Sequence, residues 1–129
     1  MKKIIFAALC VLCLVACEQS EQSVNYLHGK WEREMVTYGD GDGVIVYSYT
    51  FGQGTYVLET RYKMNYDNEW YSTYVAGKYS FEGESEGELR LYDRRIGEAV
   101  MHESIVYNFI VDGERLLLIG KNVDEFIKQ

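Results

Sequence analysis

Between Thr55 and Asn65 the chain alternates. Tyr56, Leu58, Thr60, Tyr62 and Met64 fall on one side; Glu59, Arg61 and Lys63 fall on the other. A period of two belongs to a β-strand, whose successive side chains point to opposite faces, one dressed for a core and one for water. Similar segments recur from His28 to the end of the chain, each cut by Gly, Asp or Asn, the turn formers left to a sequence without proline. Strands are expected over 30–38, 44–51, 55–65, 70–81, 88–93, 99–111, 115–119 and 123–128. Gly52-Gln53-Gly54 reads as a tight hairpin, 82–87 as an acidic loop, 93–98 as a turn around Gly97, and Asp112-Gly113 as the strongest hairpin signal. A slip of phase near Ala76-Gly77 predicts a bulge. Eight segments with short joints leave no room for a substantial helix. The expected fold class is all-β, an eight-stranded antiparallel up-and-down barrel that closes on itself and so exposes no edge. Such a barrel is just wide enough for its own side chains or one small ligand.

The N-terminus has a different grammar. Lys2 and Lys3 precede an apolar run from Ile4 to Ala16, 13 residues long, too short to span a bilayer at ~20 residues. A charged head before such a run is the build of a secretory signal. The run stops at Leu14-Val15-Ala16-Cys17, and Glu18, Gln19 and Ser20 are abruptly polar. This resembles the lipobox of bacterial lipoproteins. The resemblance implies cleavage before Cys17, acyl chains on that cysteine, and a place in a bacterial cell envelope, at the outer membrane. Cys10 and Cys13 would leave with the signal, so the mature chain has no partner for a disulfide. Residues 1–16 are expected to be a signal peptide, 17–27 the lipidated cysteine and a polar tether, and 28–129 the folded domain. Acidic residues just after the cysteine, here Glu18 and Glu21, are associated with surface export in such lipoproteins.

The 129 residues less the 16 before Cys17 leave 113, enough for one domain. Without Lys2 and Lys3 the balance is 11 basic against 20 acidic residues, a net charge of −9. Such a surface repels nucleic acid, which is not expected as a partner. The expected partners are a membrane, through acylated Cys17, and a small amphipathic ligand or an envelope protein.

The domain also resembles the small lipocalin-like lipoproteins of Bacteroidota. Gly29-Lys30-Trp31 matches the family's Gly-x-Trp. Tyr49-Thr50-Phe51 with Gly54-Thr55-Tyr56 forms its hairpin signature. Gly77 to Phe81, Leu89-Arg90-Leu91, Tyr107-Asn108-Phe109, Leu116-Leu117-Leu118 and Phe126 follow in order. The likeness runs from about His28 to Gln129 and implies an up-and-down barrel, sometimes with a cavity, and no enzymatic role. Many lipocalins pack a basic residue from the chain end on the Gly-x-Trp tryptophan. Here the nearest candidate is Lys128, and whether it reaches Trp31 is left open by the sequence.

Site chemistry is sparse. Asp40-Gly41-Asp42-Gly43 lacks the ligands of a calcium loop at Val44 and Phe51 and reads as a turn. His28 and His102 are far apart, with no second ligand at metal spacing. His102-Glu103-Ser104 has the residue types of a catalytic triad, but neighbours on a strand point to opposite faces. No catalytic residue, metal or cofactor is expected. What remains is an aromatic set, drawn from 12 tyrosines and two tryptophans: Trp31, Tyr56, Tyr62, Trp70, Tyr74, Tyr79 and Tyr107. Tyrosine joins a flat apolar ring to a hydroxyl, which suits an amphipathic or sugar-like ligand. These seven are the candidate ligand contacts, in or at the mouth of the barrel, set against the plainer reading of a barrel core with some tyrosine tips reaching solvent. The alternative is a filled barrel whose surface docks on, or inhibits, another envelope protein.

Overall fold

A computed structural model describes residues 24–37, 42–66 and 68–129. The signal run, Cys17 and most of the Tyr38–Gly43 turn lie outside the described residues. Among the described residues nine strands follow one another: β1 (Gly29–Thr37), β2 (Gly43–Phe51), β3 (Thr55–Met64), β4 (Tyr71–Gly83), β5 (Glu86–Ile96), β6 (Ala99–Met101), β7 (Ile105–Asp112), β8 (Arg115–Ile119) and β9 (Val123–Lys128). Every pairing is antiparallel between sheet neighbours, β4 pairs with β5, and β1 pairs with β9. Eight strands therefore close a ring, in the order β1-β2-β3-β4-β5-β7-β8-β9, as the alternation predicted. The closed eight-stranded antiparallel barrel is consistent with a calycin-like fold. β6 stands outside the ring, paired only to the far end of β5.

One end is packed solid. Trp31, Phe51, Tyr79, Leu89, Phe109, Leu116 and Phe126 meet there, with Leu27 fully buried among them. Phe51 stands edge-on to Tyr79 at 5.0 Å, and Tyr49 edge-on to Phe126 at 5.3 Å. The segment before β1 is part of this core rather than of the tether. Trp31 Nε1 donates to the Leu27 carbonyl at 2.8 Å, and Asn25 Nδ2 to the Tyr79 hydroxyl at 2.7 Å. Tyr79 in turn donates to the Gly52 carbonyl. The packed domain thus begins before His28. Lys128 does reach Trp31: the two are cross-strand partners, and Nζ lies 5.2 Å from the ring centroid.

Two expected features take another form. The segment 82–87 is no loop, because β4 runs to Gly83 and β5 starts at Glu86, leaving a two-residue turn. Glycine permits this closeness. A Cβ on Gly83 (φ +105°) would sit 2.1 Å from the Glu86 carbonyl oxygen, and one on Gly87 would sit 1.8 Å from that of Glu82. The single strand expected over 99–111 is broken at 102–104. Its cause lies in the neighbours. Asp93 takes a left-handed φ of +49°, and the β4–β5 register shifts between Ala76 and Lys78. β5 therefore bends, with β7 pairing before the bend and β6 after it. The bulge itself falls where the sequence placed it.

Candidate functional site

The barrel is filled at one end and hollow towards the other. β1 pairs with β9 at only Trp31 and Glu32, and past that point the two strands part. β8 and β9, with five and six residues, are shorter than β1 to β4, with nine to thirteen. The wall is therefore tall on one side and low on the other. Behind the low side lies a cavity of about 270 Å³, lined by Arg33, Met35, Tyr47, Tyr49, Leu58, Tyr107, Asp124 and Phe126. A second hollow of about 300 Å³ lies nearer the rim, lined by Thr37, Gly43, Val44, Ile45, Tyr62, Lys63 and Met64. The two adjoin, because Met35 of one and Ile45 of the other are cross-strand partners.

The deeper cavity is amphipathic. Where the β1–β9 ladder stops, Arg33 Nη1 donates to Asp124 Oδ1 and bridges the split with side chains. These side chains keep 29% and 37% of their exposure, so water reaches the pair. An ion pair so placed stabilises the fold by at most about 1 kcal/mol. Its larger effect is to set a charged, hydrogen-bonding patch beside Met35, Leu58 and Phe126 in one lining. Three hydroxyls add to the polar side. Burial, then the adjoining Tyr107 and Tyr56 hydroxyls, push the Tyr49 phenol well above its ordinary range. Tyr56 is raised as well, chiefly by burial, while the neighbouring Arg94 guanidinium opposes the rise. Both phenols are therefore neutral donors across the physiological range. Gly120 leaves room for Tyr107, since a Cβ there would lie 3.3 Å from its ring.

The seven aromatic residues picked out from the sequence do not converge. Tyr107 lines the deep cavity, and Tyr56 is buried in the core against Tyr49 and Phe51. Tyr62 stands on the rim, stacked on Tyr71 at 5.3 Å. Trp31 and Tyr79 belong to the solid end, where they carry structural hydrogen bonds. Trp70 and Tyr74 are on the outer surface, 49% and 55% exposed. Sequence reasoning missed Arg33, Asp124, Tyr47 and Tyr49. The signal for the first two was parity: Arg33 is two residues from Trp31, and Asp124 two from Phe126, so each shares the inward face.

His28 is exposed and His102 lies at the β6–β7 break, on an outer groove with Thr55, Gly77 and Lys78. Among the described residues no three of His, Cys, Asp and Glu gather as metal ligands. Compared with known proteins, the chain matches no family model, no curated protein and no solved structure.

Proposed function

We propose that this protein is a non-enzymatic binding module, held to a bacterial envelope through acylated Cys17, whose half-hollow barrel takes a small amphipathic ligand. The observation that carries this reading is the cavity. Its lining sets an ion pair and tyrosine hydroxyls beside methionine, leucine and phenylalanine. Its size limits the ligand. About 270 Å³ holds roughly nine water molecules at ~30 Å³ each, below the 300 Å³ at which drug-sized sites begin. A short-chain amphiphile fits, or one end of a longer one whose remainder lies in the rim hollow. The apolar lining of that hollow by Ile45, Tyr62 and Met64 suits a tail. The cavity also weighs against the wholly filled barrel of the docking alternative.

Calorimetry on the mature domain with the straight-chain alcohols from butanol to decanol tests the reading. Affinity should rise with chain length and then level off once the cavity is full. Leu58→Trp, which puts a large ring into the cavity, should abolish the binding while the domain stays folded. Binding unchanged in Leu58→Trp would place the ligand elsewhere.

The anchor is tested apart from the pocket. Each methylene buried in lipid contributes ~0.8 kcal/mol, and stable attachment needs at least two chains or signals. In cells, Cys17→Ser should move the protein from the membrane fraction to the soluble fraction. A variant that remains with the membrane removes the anchor from the account.

A further inference from the structure

A larger concavity than the interior cavity lies on the outside of the barrel. A groove of about 580 Å³ runs over the outer face of β1, β2 and β3, with Val44 and Val46 among its lining and Trp70 at one side. These strand residues alternate with the inward set, so the groove is separated from the interior cavity by the sheet itself.

Trp70 is held, not loose. The Arg61 guanidinium lies 5.9 Å from its ring centroid. Arg61 is in turn gripped from two sides, by Glu32 at 3.4 Å through Nη2 and by Glu59 at 3.4 Å through Nε. The Nε contact is an ion pair without a directed hydrogen bond. Glu32 is itself fixed by Ser48, whose hydroxyl donates to it at 3.0 Å, and by Lys30 at 3.4 Å. A half-exposed indole with such backing is a preorganised flat platform, which lowers the entropic cost of binding anything that stacks on it.

The charges that line the groove cancel, Arg61 and Lys63 against Glu32 and Glu34. In a chain of net charge −7 that local neutrality is a selective feature. Asn65 and Gln129 add amides, which both donate and accept. An apolar ring face beside acceptors, donors and amides, with no net charge, matches one ligand chemistry. A pyranose presents a C–H face to stack and a rim of hydroxyls that each donate and accept. We infer that this outer groove is a second binding site, for a neutral oligosaccharide stacked on Trp70.

The two tryptophans make the test direct. Trp31 is fully buried in the solid end and Trp70 is 49% exposed, so a change in fluorescence or in acrylamide quenching on binding reports Trp70. The mature chain is titrated with maltotetraose, cellotetraose and chitotetraose at millimolar concentrations. At least one should protect Trp70 from quencher in a saturable manner. Trp70→Ala should weaken that binding at least about tenfold, followed calorimetrically, and Trp70→Phe should recover part of it. Because Trp70 lies outside the strands, both variants should keep the thermal transition of the parent. No protection by any of the three, or unaltered affinity in Trp70→Ala, overturns the inference. A preference for a uronic-acid oligomer over the neutral sugars overturns it too, since the lining has no net positive charge to favour one. The Leu58→Trp variant, filled on the other side of the sheet, should bind the oligosaccharide as the parent does.

Discussion

At the scale of single residues, Trp31 shows how one side chain closes a barrel. It is fully buried, its indole N–H satisfies the Leu27 carbonyl, and Lys128 covers its face. These roles differ in size. Trp31→Ala should cost about 3–5 kcal/mol in urea denaturation, as large aromatic-to-alanine changes in cores do. Lys128→Ala should cost only about 0.5–1 kcal/mol, the worth of a cation over a ring near the surface. Tyr49 and Tyr56 give the protein an alkaline limit. Their folded-state values lie above the ordinary 10.0, so the folded state keeps protons that the unfolded state loses. Their contribution is complete below pH ~10, and declines as the pH rises beyond it. Denaturation midpoints measured on either side of that value should fall steeply in the parent and less in Tyr49→Phe. Trp31 could be read from the sequence as an inward aromatic, but its structural duty could not, because that duty depends on a contact with residue 27 and one with residue 128. Arg33 and Asp124 were readable by parity. They escaped because a charged side chain on an inward face is assumed to be outward until a partner 91 residues away is known.

At the scale of elements, the strands followed from alternation and the hairpins from glycine. Asp112-Gly113 turns as expected, with Gly113 at φ +61°. The bulge at Ala76-Gly77 was visible as a lost phase. Its consequence for β6 and β7 was not, because the bend is set by Asp93 on the neighbouring strand, a non-glycine residue at positive φ. The turn at Glu84-Ser85 was hidden by its acidic surroundings, which read as solvated loop, while the close contact of Gly83 and Gly87 is a matter of space. These glycines separate two costs. Gly113 has nothing within 4 Å of a built Cβ, so Gly113→Ala should cost only the strain of a left-handed alanine, about 1 kcal/mol. Gly83→Ala adds a collision with the Glu86 backbone and should be much more destabilising. Urea midpoints of the two variants measure the difference, and equal losses would mean that the hairpin yields to the extra atom.

At the scale of the whole molecule, the chain enters the domain at the solid end, where Leu27 is buried, while the cavity lies towards the other. An acylated Cys17 would therefore tether the protein by its closed base and leave its mouth facing away from the lipid. Ligand binding in the barrel requires the interior to be a receptive space and not merely a packing fault. Backbone chemical-shift mapping of the mature domain during titration with hexanol tests this most directly. Saturable shifts are expected at Arg33, Met35, Leu58, Tyr107 and Asp124, which line one cavity, while Leu89 and Leu116 in the solid end stay still. Shifts that never saturate, or that scatter over the outer face with none at these five residues, would contradict it.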